Sequence, residues 1–350
     1  MIKKVNVLFV LICFVFSLRV QSQTRGNYTY QFLNISNSPR VTALGSNFVS
    51  VNDNDINLVL GNPSLINKNI HNFLGLSFID YYSDIKAGYS TYSRTFKKYG
   101  SFAATLQFIN YGKFIETDAT GETYGEFTAG EYALNLGWGR ALDSSFSIGA
   151  NLKFIYSNLQ DYNSFGIATD IAGNYYSSKH NLSASIILKN IGGQITSYQK
   201  GNRENIPFEI QFGLSKKLEH TPIRLHFLAN NLQKWDLTNE TDNYSYMNNT
   251  IDTLKRNGFE KFLDKGMRHL VFGVEFIPSK NINLSIAYNY RRRKELKVDS
   301  KPGFTGFSWG IGVKIYKFRI DYARTIYHLA GAPNNISIAT NMGQFFDKVK

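Results

Sequence analysis

The chain has 350 residues, a formal net charge of +13 and one cysteine. A single cysteine excludes a disulfide framework and a cysteine-ligated metal site. The basic residues are concentrated in predicted loops, turns and lumen-facing positions, and no helix-turn-helix or RNA-binding pattern accompanies them. The sequence therefore argues against nucleic acid as a partner.

The first 22 residues have the layout of a removable signal peptide. Lys3 and Lys4 precede an apolar run, and Ser22 stands where a signal peptidase would cut. The one cysteine, Cys13, lies inside the apolar run and would leave with it. We therefore expect an exported chain that begins near residue 23 and carries no thiol.

Residues 23–72 come before the first strand-like segment and do not alternate between apolar and polar side chains. Their mixed composition suits a plug packed inside a lumen. The pair Asn62-Pro63 is the most recognisable motif of this stretch. We expect residues 23–72 to form a plug or hatch segment.

About fourteen short segments of alternating apolar and polar residues follow, within residues 73–346. Successive side chains of a strand point to opposite faces, so this alternation predicts strands with one apolar and one polar face. Each segment is about nine to eleven residues long, as a tilted strand needs to cross a bilayer. The sequence predicts an all-β fold, namely a transmembrane antiparallel β-barrel of about 14 strands with an N-terminal plug segment, and a short tail at 347–350.

The connections between these segments alternate between long and short. The predicted long connections are 111–130, 190–207, 231–268 and 291–303. An outer-membrane barrel has short periplasmic turns and long extracellular loops, whereas a soluble sandwich or propeller has no reason to sort its loops in this way. We therefore expect a β-barrel in the outer membrane of a Gram-negative cell.

The register of the strands assigns side chains to lipid or to lumen. Ile148 and Phe212 fall on the apolar face, whereas their neighbours Gly149 and Gln211 fall on the polar face. The polar faces also carry charges that we expect to pair across the interior, namely Lys153, Glu209, Arg224, His226, Glu275, Arg319 and Asp321. Such a lumen would be polar and closed.

The longest loop contains the candidate partner-binding residues. Residues 257–266 are typical of a short helix that ends at its final glycine. Trp235, Phe259, Phe262 and Leu263 favour an ordered loop that binds a protein partner. Packing of the same side chains onto the barrel mouth would explain them almost as well.

The densest basic run is Arg291-Arg292-Arg293-Lys294, at the start of another predicted long loop. On the outer side of the membrane, these four side chains would lie against the phosphates of lipopolysaccharide and outer-membrane lipid. A solvated loop that keeps the end of a strand in water explains the run equally well.

No motif for catalysis is present. The chain has no His-Glu-x-x-His metal motif, no paired cysteines and no phosphate-binding loop. Asp264 and His269 are close in sequence, but a short helix followed by a strand does not by itself bring them together for hydrolysis. Gly137-Trp138-Gly139 and Gly310-Ile311-Gly312 lie inside strands, where small residues leave room for a plug. We expect no enzyme, no cofactor and no metal site.

The segment before the barrel resembles a known family. Ala43-Leu44-Gly45, Asp53-Asn54-Asp55 and Gly61-Asn62-Pro63-Ser64 are similar to the amino-terminal segment of long-chain fatty-acid transporter barrels and their relatives in Bacteroidetes, with Ser64 where Ala is usual. The start at residues 24–28, the strand count and the length look closer to PorQ-type barrels, which are outer-membrane components of the type IX secretion system.

This resemblance implies a barrel without catalysis that anchors a cell-surface attachment complex through its extracellular loops. The partners that it implies are a PorZ-type surface protein and the nearby PorU protease with PorV. The alternative is a fatty-acid-transporter-like barrel that passes hydrophobic small molecules across the outer membrane. The lumen-facing charges favour the attachment role, because they indicate an interior that is tied shut rather than an apolar tunnel.

Overall fold

The computed structural model describes residues 28–45, 50–238, 244–247, 250–253, 257–297, 303–327 and 331–346. The predicted signal peptide 1–22 and the predicted tail 347–350 lie outside the described residues.

The described strands are, in chain order, β1 Phe73–Asp80, β2 Lys86–Phe96, β3 Gly100–Thr117, β4 Thr123–Ala141, β5 Phe146–Leu159, β6 Tyr162–Ser177, β7 Leu182–Thr196, β8 Glu209–Lys217, β9 Ile223–Ala229, β10 Tyr244–Met247, β11 Thr250–Thr253, β12 Leu270–Ser279, β13 Ile282–Asn289, β14 Phe307–Ile315, β15 Phe318–Thr325 and β16 Asn334–Asn341. All except β10 and β11 form one closed barrel of 14 antiparallel strands, in which β16 returns to β1. β10 and β11 form a separate hairpin in the longest loop, so β9 pairs directly with β12. The predicted fold class is confirmed.

The two faces of the barrel wall differ as the alternation predicts. In β5, Ile148 is exposed on the outside, whereas a side chain at Gly149 would meet the plug residue Pro63. In β8, Gln211 is fully buried in the lumen, whereas Phe212 faces outward. A closed barrel with an apolar exterior and a polar, filled interior is the construction of an outer-membrane protein, as the sequence predicts.

The segment before β1 lies inside the barrel. It contains helix α1 (Pro39–Ala43) and several single 3-10 turns, one of which is Pro63–Leu65. α1 packs on β13 to β16, whereas the turn Pro63–Leu65 packs on β4 to β6. The plug therefore spans the lumen from one wall to the other.

Glycines in the wall allow the plug to approach closely. At Gly149 an added methyl group would overlap the backbone of Pro63, and at Gly310 it would lie 2.7 Å from Cβ of Ala43. The glycines of the strand interior therefore make room for the plug, as the sequence predicts for the motif that includes Gly310.

Two predicted long loops are shorter than expected, because their strands continue. β3 and β4 remain paired as far as the turn 118–122, so most of the predicted loop 111–130 is a two-stranded ribbon. Phe114 stacks on Phe127 across this ribbon, with 5.2 Å between ring centroids. Polar residues occupy both faces here, so the membrane-type alternation fades although the pairing continues. In the same way, β7 occupies the first part of the predicted loop 190–207.

The two remaining long loops contain helices. The loop 231–268 holds the β10–β11 hairpin and helix α2 (Gly258–Met267), and helix α3 (Tyr290–Leu296) begins just before the predicted loop 291–303. A short helix α4 (Gly343–Phe346) follows β16. Among the described residues, no helix is long and apolar enough to cross a membrane.

The predicted end of α2 is wrong in one respect. Asn257 caps the helix by accepting a hydrogen bond from the Glu260 N–H at 2.8 Å. Gly266 does not stop the helix, which ends one residue later at Met267. The N–H of the next residue, Arg268, donates to the Asp264 carbonyl at 3.1 Å. The helix therefore ends with an ordinary main-chain bond and without a glycine cap.

Candidate functional site in the lumen and outer loops

The inner half of the lumen, nearer the short periplasmic turns, is closed by an ionic network centred on Arg40 of the plug. Arg40 donates from Nε to Glu275 at 2.7 Å, from Nη2 to Asp53 at 2.6 Å and from Nη1 to Asp55 at 3.1 Å. Arg40 and Glu275 are almost completely buried. Several carboxylates around one guanidinium compensate the cost of removing that charge from water.

The barrel wall adds further charges to this network. Arg224 Nη1 lies 3.0 Å from Glu275, and His226 Nε2 lies 2.9 Å from the same carboxylate. In β15, Arg319 pairs with Asp321 at 2.8 Å, and its Nε lies 3.9 Å from Asp55 of the plug. The network therefore ties the plug to β9, β12 and β15, and the predicted pairing of these lumen-facing charges is confirmed.

The plug side of the network could not be read from the sequence. Arg40 and Asp53 lie in a stretch without strand periodicity, so no pattern marks an inward-facing position. The available signal was a single arginine in an otherwise uncharged stretch after Pro39.

A second polar cluster lies higher in the lumen. Lys153 Nζ lies 2.8 Å from Asp170 and donates to Asn190 Oδ1 at 2.7 Å. Asp170 also accepts the Asn190 N–H at 2.8 Å. Lys189 and Glu209 are cross-strand neighbours beside this cluster, and both are buried. Lys153 and Glu209 thus lie in the lumen, as the alternation predicts.

The plug motif Asn62-Pro63 lies at the centre of the plug's contact with the wall. Asn62 is fully buried and donates from Nδ2 to Ser185 Oγ at 3.1 Å. Its Oδ1 accepts a hydrogen bond from Ser64 at 2.5 Å. The Ser64 hydroxyl, present where the resembled family usually has alanine, therefore orients the Asn62 amide toward the wall.

The outer half of the lumen contains an apolar region. Tyr30, Phe32 and Leu33 are buried in it. We call residues 28–35 the N-terminal segment, and the apolar region around it the outer chamber. The chamber wall consists mainly of Ile79, Tyr89, Ile109, Ala133, Ile155, Ala168 and Ile206.

The N-terminal segment is held by a few hydrogen bonds. The Thr29 N–H donates to the Asn205 carbonyl at 2.9 Å, and the Tyr30 hydroxyl lies 2.5 Å from Ser164 Oγ. Gln107 Nε2 donates to the carbonyl of Phe32 at 2.9 Å. The segment contains no charged residue, so it differs from the rest of the plug, which ion pairs hold in place.

The wall is irregular beside the outer chamber. The β6–β7 ladder shifts register between Thr169 and Ile171. The extra residue of this shift is on β7, where Asn190 has a positive φ of 57°, which a non-glycine residue seldom adopts. The side chain of Asp170 compensates by accepting the Asn190 N–H. Such a bulge leaves part of the strand-to-strand ladder unmade.

The predicted partner-binding residues form one exposed surface above the barrel. Trp235, Phe259, Phe262 and Leu263 have exposed fractions of 54%, 70%, 57% and 48%. We call these four residues the outer-loop patch. The rings of Trp235 and Phe262 lie 5.5 Å apart between centroids. The patch is exposed to solvent, and its binding of a protein partner stays a prediction.

The patch stands on an ordered base. Asp264 accepts hydrogen bonds from the Tyr290 hydroxyl at 2.7 Å and from Arg268 Nε at 3.0 Å. Burial alone would raise the pKa of Asp264, but these two hydrogen bonds outweigh burial and lower it below its usual range. His269 stacks on Trp235 with 5.7 Å between ring centroids. Among the described residues, these contacts join Trp235 and α2 to the start of β12 and to α3, and so give the patch a connected base.

The basic run lies on α3 and already has protein partners. Arg291 donates to Glu295 at 2.8 Å. Arg292 lies 4.4 Å from the ring centroid of Tyr327. Arg293 donates to the Gly303 carbonyl at 2.7 Å, and Lys294 lies 3.8 Å from Asp264. These contacts stabilise the helix against the barrel mouth, whereas the contact with lipopolysaccharide stays a prediction.

Asp264 and His269 do not form the acid-base pair of a hydrolase. Asp264 is bonded to Tyr290, whereas the two ring nitrogens of His269 lie 2.7 Å and 3.1 Å from the carbonyl oxygens of Asn230 and Trp235. Both nitrogens of the imidazole therefore contact the protein's own backbone, and neither faces a nucleophile.

No protein-family model matches this sequence, and no curated protein matches it. The barrel is similar to the solved structure of the toluene transporter TodX of Pseudomonas putida, with a TM-score of 0.51, 10% sequence identity, and coverage of 85% of this chain and 95% of that chain. It is also similar to the CymD monoaromatic hydrocarbon channel, with a TM-score of 0.50, 10% identity, and coverage of 88% and 98%. For a TodX deltaS2S3 mutant monoaromatic hydrocarbon channel, the TM-score is 0.52 and the sequence identity is 10%, with coverage of 87% of this chain and 99% of that chain.

At this level of identity, the likeness establishes a shared fold. These three solved structures are of a transporter and of channels. The plugged barrel of 14 strands is the fold that the resemblance to fatty-acid transporters implies. PorQ-type barrels are expected to share this fold, so the fold does not distinguish an attachment barrel of that type from a fatty-acid-transporter-like barrel.

Proposed function

We propose that this barrel passes hydrophobic small molecules across the outer membrane, without catalysis and without a cofactor. The observation that carries the proposal is the outer chamber, because its apolar wall is filled by the chain's own N-terminal segment. Phe32 and Leu33 occupy the space that an apolar ligand would need, and no ion pair fixes their segment. The fold shared with the toluene transporter TodX and the hydrocarbon channel CymD agrees with this proposal.

The arrangement of charge supports a sideways route. The network around Arg40 and Glu275 closes the inner half of the lumen, and an apolar molecule would not displace paired charges. The bulge at Asn190 lies beside the chamber, where the wall is already irregular. We infer that the ligand enters the outer chamber, displaces the N-terminal segment and leaves through this part of the wall into the membrane.

Uptake of the fluorescent apolar probe N-phenylnaphthylamine by intact Gram-negative cells tests this proposal, since the probe becomes bright on reaching lipid. Ala168→Trp fills the chamber, so uptake should fall to the level of cells without the barrel. Phe32→Ala loosens the segment and should raise uptake. Leu152→Trp, on the lipid-facing side of β5, is the matched control and should match the unchanged barrel. Equal uptake in all folded variants would exclude the chamber as the route.

The exposed aromatic side chains of the outer-loop patch support a second candidate function, which is attachment of a surface protein. Clustered aromatic side chains on a fixed base are the usual centre of a protein interface. By the sequence resemblance, the partner would be a PorZ-type surface protein, held beside the PorU protease and PorV. The type IX secretion role rests on that resemblance alone.

A double variant, Phe259→Ala with Phe262→Ala, tests the attachment role. The barrel should remain folded and heat-modifiable, while its surface partner is released into the medium. The double variant Arg291→Gln with Lys294→Gln is the control. These two side chains belong to the proposed contact with lipopolysaccharide, so this variant should leave retention of the surface partner unchanged. A folded patch variant that still holds its partner would exclude the patch as the docking site.

A further inference from the structure

An apolar groove runs along the outside of the barrel at its periplasmic end. It lies where α4 folds back against the ends of β1, β15 and β16, and its volume is about 330 Å³. Its main lining residues are Leu74, Leu76, Phe318, Ile338, Met342 and Phe345. The volume is at the lower end of the range for small-molecule pockets, and the walls are almost entirely apolar.

A cation stands at the end of this groove. Lys317 Nζ lies 4.4 Å from the ring centroid of Phe345 and donates to the Gln344 carbonyl at 2.6 Å. Phe345 in turn lies 5.8 Å from Phe318 between ring centroids. An ammonium group has three N–H donors, and the Gln344 carbonyl takes one of them. The groove is therefore apolar along its length and positively charged at its mouth.

The surrounding rim has the same sign of charge. We call the residues of the periplasmic turns and strand ends the basic rim, because Lys and Arg dominate there. Its cations are Lys97, Lys98, Arg140, Lys179, Lys216, Lys217, Lys280, Lys314 and Lys317. In the described part of these turns and strand ends, the acidic residues are Asp143 and Glu219. This rim attracts anions in the adjacent leaflet.

The position of the groove selects its ligand. The periplasmic end of the wall faces the inner leaflet of the outer membrane, which consists of phospholipid. Aromatic side chains such as Phe318 and Phe345 mark the boundary between hydrocarbon and headgroups at that depth. An apolar groove that begins in the hydrocarbon and ends at a lysine matches an acyl chain followed by a phosphate.

We propose that this groove is a binding site for one anionic phospholipid of the inner leaflet, with an acyl chain between Leu76 and Ile338 and its headgroup phosphate on Lys317. The site is separate from the outer chamber and does not depend on the transport function. It depends on the outer-membrane position of the barrel and on the orientation of its short turns toward the periplasm. The basic rim raises the local concentration of anionic lipid, and the groove gives one molecule a fixed place.

Native mass spectrometry of the purified full-length barrel with added phosphatidylglycerol or phosphatidylethanolamine tests the proposal. The unchanged barrel should retain one phosphatidylglycerol in preference to phosphatidylethanolamine. Lys317→Gln should weaken phosphatidylglycerol binding about fivefold, which corresponds to the roughly 1 kcal/mol that a basic residue contributes near an anionic leaflet. Ile338→Trp should abolish retention because the indole fills the groove.

Two control variants locate the site. Ile148→Trp makes the same kind of change on the lipid face of β5, and Lys179→Gln removes a rim charge from another turn. Both should retain phosphatidylglycerol, and heat-modifiability should confirm that every variant is folded. Loss of lipid from Lys179→Gln equal to that from Lys317→Gln would mean general attraction by the rim and would overturn the groove site. Equal retention by folded Ile338→Trp and by the unchanged barrel would overturn it as well.

Discussion

Arg40 of the plug and Glu275 of β12 form a buried ion pair across 235 residues of sequence, with 2.7 Å between Nε and Oε1. The exposed fractions of the two side chains are 4% and 0%. The pair joins the plug, whose sequence has no strand pattern, to β12, whose side chains alternate regularly between the two faces. It explains why the inner half of the plug is fixed to the wall.

Replacing Arg40 by methionine should therefore destabilise the plug strongly. Removing one partner of a buried pair leaves an uncompensated charge and costs about 3 to 5 kcal/mol. Denaturant unfolding of the purified barrel measures the loss. Arg40→Met combined with Glu275→Met should lose less than the single change, because the network then loses one positive and one negative charge and Arg224 keeps its contact with Asp53. A single variant as stable as the unchanged barrel would contradict the role of the pair.

A side chain at Gly149 should displace the plug. The structure leaves no space for a Cβ there because the backbone of Pro63 occupies it. Gly149→Leu should make the plug sensitive to added protease in the folded barrel. Gly173→Leu, on the neighbouring strand, is the control, since nothing lies within 4 Å of its would-be side chain. Equal protease resistance in both variants would mean that the plug does not rest on β5.

Acid should loosen the base of the outer-loop patch. Burial raises the pKa of Asp264, but its hydrogen bonds outweigh burial and lower this pKa below its usual range. Burial also raises the pKa of Asp236, but hydrogen bonds, the largest of them from Lys265, lower it to about 2. A carboxylate whose pKa is lower in the folded than in the unfolded protein stabilises the fold fully when the pH is above the unfolded pKa of about 3.9. This stabilisation is lost as the pH falls through the folded pKa. The base should therefore be intact at pH 5 and loosen between about pH 4 and pH 2.

Trp235 fluorescence measures this transition in a barrel with Trp138→Phe and Trp309→Phe. Asp264→Asn should already show the loosened signal at pH 7 and a smaller change on acidification. A pH profile of Trp235 that is unchanged by Asp264→Asn would contradict the proposed link between this carboxylate and the patch.

The sequence predicts the wall better than its contents. In β5 and β8, the difference between lipid and lumen is large, so Ile148 and Gln211 could be assigned to their faces from the alternation alone. In the ribbon that follows the membrane part of β3, both faces are in water, and the sequence therefore predicts a loop at Phe114, which belongs to β3. Pairing between strands continues there without the pattern that reveals it.

The plug and the chamber could not be predicted in the same way. Arg40 meets Glu275 through the closure of the whole barrel, and no local pattern encodes such a contact. Tyr30 and Phe32 fill the outer chamber. Their short segment has no charge, no strand alternation and no motif that would predict this position. Their role follows from where the wall is apolar, which only the assembled barrel reveals.

A reversible disulfide between the N-terminal segment and the barrel tests the proposed function most directly. Tyr28 and Asn205 are partners in a parallel β-bridge, so their Cα atoms lie about 5 Å apart, within the range that a disulfide spans. Tyr28→Cys with Asn205→Cys would lock the segment in the chamber in oxidised cells, and reduction would release it. The only natural cysteine is Cys13.

N-phenylnaphthylamine uptake is then compared before and after reduction, with each single-cysteine variant as a control. If the N-terminal segment must leave the chamber for a hydrophobic molecule to pass, the oxidised double variant takes up the probe at the rate of cells without the barrel, and reduction restores the rate of the single variants. Equal uptake by the oxidised and reduced double variant, with the disulfide verified, would contradict the account.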